Sequence, residues 1–148
     1  ILAAVDPGGH GLRVSSLDAG IVGLAAAMAE ATDGSVRVVH CVRELPLGLA
    51  TRAATQRRER ARVQAMVRQL ARGAGLSQRD ARIVDGNPVD TLLDAVNEED
   101  AEILVLGTVV RGPIRQMLIG STTEQLMHVA PCDLLLLKPN SARITARR

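Results

Sequence analysis

The segment Ile103–Lys138, with the sequence ILVLGTVVRGPIRQMLIGSTTEQLMHVAPCDLLLLK, contains a complete strand–helix–strand unit. It opens with the apolar run ILVLG at 103–107 and closes with DLLLLK at 133–138, and such runs are typical of strands buried on both faces. Between them, Ser121-Thr122-Thr123-Glu124 has the pattern of a capping box, which predicts a helix that begins there and stops at Pro131. Two apolar strands joined through a helix predict parallel pairing.

The same alternation continues towards the amino end of the chain. Three further strands are predicted, at Ile1–Asp6, Ser35–Val42 and Ala81–Asp85. The helices between them are predicted from capping and stop signals to run from Ser15-Ser16 to Gly34, from about Thr51 to Ala74, and from Asn87-Pro88 to about Glu99. This order favours an α/β fold, a five-stranded parallel sheet with helices on both faces joined by right-handed crossovers.

The composition excludes several classes of protein. The chain has 148 residues, of which 47% are hydrophobic and 23% charged, so it is long enough for one globular domain. We expect this domain to span 1–139 and a disordered tail to follow over 140–148. The chain contains no Phe, Trp or Tyr and has a formal charge of only +2, which argues against a nucleic acid partner bound by stacking or by a dense positive face. The seven arginines between Arg52 and Arg72 are more typical of a solvated helix face.

Cysteine, histidine and motif patterns give no sign of a metal site or an enzyme. Cys41 and Cys132 are far apart in sequence, as is typical of reduced thiols in a cytoplasmic protein. The three histidines lack the short spacings of metal ligands, and no GxSxG or HExxH motif is present. No apolar run approaches the ~20 residues that span a bilayer. We therefore predict no catalytic residues, no metal ligands and no membrane partner.

The connection between the fourth strand and the last helix is the main candidate binding site. Ligands of open α/β sheets lie beyond the carboxyl ends of the strands, and residues 108–120 form a connection much longer than the ~2–6 residues usual there. Arg111 and Arg115 can supply positive charge. At Gly120-Ser121 the free N–H groups of a helix N-terminus favour an anion. A flexible loop with an ordinary serine cap is the alternative interpretation.

Three segments of the chain together resemble the universal stress protein family. They are ILAAVD at 1–6, VVHCV at 38–42, and ILVLG through LLLLKP at 103–139, so the resemblance extends over almost the whole chain. The resemblance implies the Rossmann-like fold of the adenine nucleotide alpha hydrolase type. It is strongest to one domain of tandem members of the family, particularly their second repeat, which implies that the chain is a fragment of a longer protein.

The resemblance also implies a nucleotide site. Nucleotide-binding members carry the motif G-x2-G-x9-G-[ST] around the phosphates and ribose of ATP. Gly107 matches its first glycine and Gly120-Ser121 its last pair, whereas Val110 stands at the second glycine, with Gly112 two residues later. By the same resemblance, Ala4 and Asp6 border the nucleoside and Cys41 meets the adenine. The complete set of candidate nucleotide-binding residues is Ala4, Asp6, Cys41, Gly107, Thr108, Val110, Arg111, Gly112, Gly120, Ser121 and Thr122.

These matches predict a non-enzymatic stress-response domain that binds ATP or a related adenine nucleotide, with Mg²⁺, and that has at most slow ATP hydrolysis. The predicted site lies at the carboxyl ends of the first, second and fourth strands. Two alternatives stay open. One is a nucleotide-free interaction module, because some family members lack the motif. The other is a phosphoacceptor receiver-like domain, whose functional positions would be taken by Asp6, Asp85, Thr108 and Lys138-Pro139.

The last predicted strand suggests a partner. Its four consecutive leucines, Leu134–Leu137, make both of its faces apolar, while chain order and the family resemblance place it at an edge of the sheet. An apolar edge with unpaired N–H and C=O groups is a liability unless another chain covers it. We expect the same strand of a second domain to pair with it, in a homodimer or between the repeats of a tandem protein.

Overall fold

A parallel sheet of five strands forms the centre of the protein, whose computed structural model describes residues 1–7, 15–42, 53–110, 117–118 and 120–139. The strands are β1 (Leu2–Ala4), β2 (Arg37–Val42), β3 (Ala81–Asp85), β4 (Ile103–Gly107), β5 (Val109–Val110), β6 (Met117–Leu118) and β7 (Asp133–Leu137). The central sheet has the order β3-β2-β1-β4-β7, with all neighbours parallel. The strand order therefore reverses at β1 and β4, and β7 is an edge strand, as predicted.

Four helices cover the two faces of this sheet, which confirms the predicted fold class. They are α1 (Ser16–Thr32), α2 (Ala53–Gly73), α3 (Pro88–Glu98) and α4 (Ser121–Val129). Successive strand residues enter opposite cores: Ala3 packs with α1 and α2, and Leu2 packs with α3 and α4. No helix in the described ranges is long and apolar enough to cross a membrane.

Local signals place the starts of two helices where the sequence predicted them. The hydroxyl of Ser15 accepts the N–H of Asp18, whose carboxylate in turn accepts the N–H of Ser15, so a capping box opens α1. Asn87 accepts the N–H of Val89 at 2.9 Å and caps α3, with Pro88 as its first residue. Each of these bonds joins residues only two or three positions apart, so the sequence alone is enough to predict them.

The predicted capping box of the last helix is wrong. The N-cap of α4 is Gly120, with extended backbone (φ −66°, ψ 152°), and no side chain in the described part of the chain caps the helix. The carbonyl of Gly120 already accepts the N–H of Glu124 at 2.9 Å, so the helix begins one residue earlier than a serine cap requires. Ser121 is consequently the first helical residue rather than the cap.

The long connection before α4 also contains structure that the sequence did not indicate. β5 and β6 pair in antiparallel fashion, with Val109 opposite Leu118 and Val110 opposite Met117. Arg111, Gly112 and Arg115 lie outside the described residues, as does the predicted tail over 140–148. Within the described part, the connection is therefore partly a small β-ladder and not an irregular loop throughout.

Candidate functional site

The carboxyl ends of β1, β2 and β4 bring the first group of candidate residues to one edge of the sheet. Ala4 is the last residue of β1, Cys41 lies next to the end of β2, and Gly107 ends β4. β1 pairs with both β2 and β4, so these three strand ends are immediate neighbours. This edge includes the point where strand order reverses, which is the usual ligand position in open α/β sheets.

The amino end of α4 faces a cleft of about 350 Å³ at this edge. The cleft is lined by residues from the β3–α3 turn and from the first two turns of α4: Gly86, Asn87, Pro88, Val89, Ser121, Thr122 and Gln125. Ser121 and Thr122 belong to the predicted set, whereas the turn residues do not. The sequence does contain a signal for these turn residues. Gly86-Asn87-Pro88 follows a predicted strand, and the carboxyl ends of all parallel strands meet at one edge of the sheet.

A larger cavity, about 540 Å³, lies at the opposite end of the sheet. It is formed between α1 and the end of α2 and includes small side chains such as Ala26, Ala27 and Ala74. Because it is at the amino ends of the strands, none of the described candidate residues lines it. The larger cavity is therefore at the wrong end of the sheet for the usual ligand position of this fold.

Gly107 has a packing role that is independent of any ligand. A Cβ atom at this position would lie 2.7 Å from Cδ2 and 3.1 Å from Cγ of Leu17, and 3.2 Å from Cδ1 of Ile21. The missing side chain thus lets α1 approach the end of β4 closely. The match of Gly107 to the family motif is explained in part by this contact.

Thr108 extends the pairing of β4 with β7 by one residue. Its side chain is 2% exposed, and both its N–H and its hydroxyl donate to the carbonyl oxygen of Leu137, at 2.7 and 3.1 Å. The hydroxyl hydrogen is thereby directed at the edge strand. Both hydrogens of Thr108 are thus already donated. Thr108 can contact a ligand at this edge only as an acceptor, through its carbonyl oxygen or the lone pairs of its hydroxyl.

Asp6 presents an exposed carboxylate beyond the end of β1. Its side chain is 71% exposed, while its N–H donates to Oδ1 of the buried Asp18 at 2.9 Å. The backbone at this corner is therefore held while the carboxylate remains accessible. Such a group can accept hydrogen bonds from a ligand hydroxyl.

Cys41 is a neutral thiol in the site. Burial raises the pKa of its thiol from 9.0 to about 11; the Arg82 guanidinium opposes this increase, and the Asp6 carboxylate adds to it. The thiolate is the reactive form of cysteine, so at neutral pH Cys41 offers a small, polarisable, uncharged surface. It is suited to packing against a ligand and unsuited to nucleophilic catalysis.

We expect Cys41 to resist alkylation in the folded protein. In a Cys132→Ser variant at pH 8, Cys41 should react with iodoacetamide about a hundredfold more slowly than in the same variant unfolded in urea, because a pKa two units higher lowers the thiolate fraction by that factor. The rate should rise about tenfold per pH unit and level off near the raised pKa. Mass spectrometry measures both rates, and equal rates in the two states would contradict the raised pKa.

The described residues contain no cluster of metal-ligating side chains, and the arginines of α2 face solvent. Among the described residues, no three His, Cys, Asp or Glu side chains gather as a metal site would require. Along α2, Arg57, Arg58, Arg68 and Arg72 are exposed to solvent, and Arg60 contacts Asp85. The arginines thus line the outer surface of α2, as expected for a solvated face.

The strand order removes the receiver-like alternative. Receiver domains have the order 2-1-3-4-5, whereas this sheet has β3-β2-β1-β4-β7. Asp85 ends β3 and Asp6 follows β1, so the whole of β2 lies between them, a separation of about 10 Å at ~4.8 Å per strand. Two carboxylates so far apart do not form the shared Mg²⁺ site that a phosphoacceptor aspartate needs.

Comparison with known proteins gives one family. Residues 1–138 match the model of the Universal stress protein family. A universal stress protein of Thermus aquaticus is 28% identical over an alignment of 145 residues, and the match covers 93% of this chain and 97% of the relative. Among solved structures, a putative universal stress protein from Pseudomonas aeruginosa UCBPP-PA14 is 26% identical with a TM-score of 0.75, and the match covers 95% of this chain and 48% of that one.

A second solved structure is similar in fold and contains a ligand. It is the universal stress protein from Archaeoglobus fulgidus in complex with dAMP, which is 18% identical with a TM-score of 0.60 over 91% of this chain and 94% of that chain. The present chain thus spans nearly the whole of two of these proteins and about half the length of the Pseudomonas protein.

Proposed function

Because the chain belongs to the universal stress protein family, we propose that it binds an adenine nucleotide at the carboxyl edge of its sheet. The phosphates lie at the amino end of α4, and the nucleoside lies over the ends of β1 and β2. The nucleotide acts as a regulatory ligand, since no catalytic base is assigned at the site. The observation that carries the proposal is the uncapped start of α4.

The start of α4 suits a phosphate because its N-cap residue, Gly120, has no side chain to accept its first N–H groups. Within the described residues, no side-chain hydrogen bond caps this end of the helix. In α1 and α3, by contrast, Ser15 and Asn87 accept such N–H groups. Free N–H groups and the positive end of the helix dipole favour an anion, and Ser121 and Thr122 add hydroxyl donors at the cleft.

The nucleoside is accommodated by small or neutral groups with one acceptor. Ala4 and Cys41 pack on the α3–α4 face of the sheet without filling it with a large side chain, and the protonated thiol of Cys41 offers an apolar surface to adenine. The exposed carboxylate of Asp6 accepts hydrogen bonds from the ribose hydroxyls. The Archaeoglobus protein with dAMP supports an adenine nucleotide as the ligand class.

We take ATP as the nucleotide, with Mg²⁺ carried in on its phosphates. Val110 departs from the family motif, and its backbone pairs with Met117 in the small ladder. Gly112 follows two residues later and, with Arg111, completes the proposed loop. In this arrangement, Gly120 and Ser121 would supply most of the contacts to the phosphates.

Titration calorimetry of the purified chain with ATP and Mg²⁺ tests this function. We expect a measurable heat of binding at nucleotide concentrations up to millimolar, and no heat with ribose 5-phosphate at the same concentration, because it lacks the adenine. Absence of any heat with ATP, ADP and AMP would overturn the proposal and leave the nucleotide-free interaction module.

We further propose that the domain works in the cytoplasm as a pair joined through β7. Both described cysteines are free thiols, which suits a reducing compartment. β7 is the last strand of the sheet, and among the described strands it pairs only with β4. Its free side suits pairing with β7 of a second copy, or of another repeat where the chain is part of a tandem protein.

A further inference from the structure

Two buried side chains hold the peptide group that joins Val5 to Asp6. Nδ1 of His40 lies 2.9 Å from the carbonyl oxygen of Val5, and Oδ1 of Asp18 lies 2.9 Å from the amide nitrogen of Asp6. That oxygen and that nitrogen belong to one planar peptide unit. Its acceptor and its donor are thus each bound by a side chain from a different element.

His40 engages the backbone where the β1 ladder ends. The N–H of Val5 still bonds to the carbonyl of Val39 at 3.0 Å, and β1 ends at Ala4. Because a carbonyl oxygen only accepts, Nδ1 of His40 carries the hydrogen and donates to Val5. The His40 residue is 7% exposed, so water competes little for this bond.

Asp18 secures the other side of the same peptide. It is 4% exposed, and while one oxygen accepts from Asp6, the other accepts the hydroxyl of Ser15 at 2.6 Å and the N–H of Ser15 at 3.3 Å. The carboxylate therefore links the end of β1 to the start of α1. A buried carboxylate with several donors is held in one orientation.

We infer that His40 and Asp18 are positioning residues for Asp6, which clamp the Val5–Asp6 peptide and so aim the exposed Asp6 carboxylate at the nucleotide. The inference rests on the proposed function. The carboxylate itself is not locked by the clamp: Oδ1 of Asp6 lies 3.8 Å from Nδ1 of His40, whose hydrogen is already donated to Val5. Asp6 thus keeps its acceptor capacity for a ligand, and its backbone is ordered before the ligand arrives.

A buried histidine can also be a mere core filler, and two substitutions separate these roles. His40→Asn places an amide N–H near the position of Nδ1 and keeps the donor to Val5, although it is smaller. His40→Leu keeps more of the volume and removes the donor. If His40 only fills the core, leucine should replace it with the smaller loss, because leucine keeps more volume. If His40 clamps the peptide, asparagine should replace it with the smaller loss, because asparagine keeps the donor.

Calorimetry with ATP and Mg²⁺ gives the first test. We expect His40→Asn to retain affinity within about threefold and His40→Leu to lose about tenfold, the worth of one lost hydrogen bond. In an Asp6→Ala background, His40→Leu should cause no further loss, because the clamp acts through Asp6. Ser77→Ala is the matched control: it removes the hydroxyl that accepts the N–H of Arg79 in the short turn before β3, at the other end of the sheet, and leaves both clamp bonds and every donor to Asp18, so it should lower stability and spare affinity. Equal affinities of His40→Asn and His40→Leu would overturn the inference.

A second measurement does not depend on the nucleotide. The amide hydrogen of Asp6 should exchange slowly in the wild-type chain, because it is bonded to a buried carboxylate, and NMR should show faster exchange in His40→Leu and Asp18→Ala than in Ser77→Ala. If the wild type binds no ATP but Asp6 is protected in this pattern, the clamp stands and the proposed function fails. If ATP binds and Asp6 exchanges equally fast in all variants, the clamp fails and the function stands.

Discussion

Replacing Ser121 by glutamate is expected to abolish adenine nucleotide binding. Ser121 is the first residue of α4, is exposed, and lines the cleft. A glutamate there would place a negative carboxylate at the first N–H groups of α4, where it would occupy the anion site and repel the phosphates. Loss of the phosphate contacts should weaken binding by a hundredfold or more, on the order of 3 kcal/mol. Calorimetry should then record only the heat of dilution.

A matched variant checks that this loss comes from the site. Gln78→Glu adds the same side chain at an exposed position in the short turn before β3, at the other end of the sheet. It should bind ATP as the wild type does. Thermal unfolding should be nearly unchanged in both variants, because no side-chain hydrogen bond of Ser121 caps α4. Wild-type affinity in Ser121→Glu would show that the phosphates do not lie at α4.

Replacing Leu136 by proline is expected to convert the proposed dimer into a folded monomer. The N–H of Asp133 bonds to Glu102, and the carbonyl of Leu137 accepts from Thr108. Since strand residues alternate, the odd-numbered residues of β7 point their backbone groups at β4, and Leu134 and Leu136 point theirs outward. A proline at an outward position removes one edge N–H without removing a bond to β4.

Leu136→Ala is the control for this prediction, because it removes the same side chain and keeps the N–H. It should remain a dimer if backbone pairing joins the two copies. Substitutions at Leu135 and Leu137 are less suitable, since the backbone groups of both residues point at β4 and not at the free edge. Sedimentation equilibrium with interference optics is the measurement, because the chain has no Trp or Tyr. A wild-type monomer at micromolar concentration, or dimers of both variants, would refute edge pairing.

Much of the fold could be predicted from the sequence because its signals are local. The apolar runs at 103–107 and 133–137 became neighbouring parallel strands, and Asn87-Pro88 started a helix where the pattern indicated. The leucines of β7 pack alternately on the two cores. This agrees with the sequence, in which no polar residue alternates with the leucines and both faces of the strand are therefore apolar. Periodicity, caps and turns each involve residues only a few positions apart, so each can be predicted from a short window of sequence.

The details of the candidate site depended on the tertiary structure. Whether Gly120 or Ser121 caps α4 was decided by where the chain enters the helix, and the packing role of Gly107 depends on Leu17, which is remote in sequence. The clamp joins His40 to Val5 across 35 positions. The alternation of elements and the parallel sheet could be predicted from local patterns in the sequence, and so could the edge of the sheet at which we propose that the ligand binds. Only the fold decided which side chains meet there, because long-range contacts depend on how helices and strands pack and leave no periodic signal in the chain.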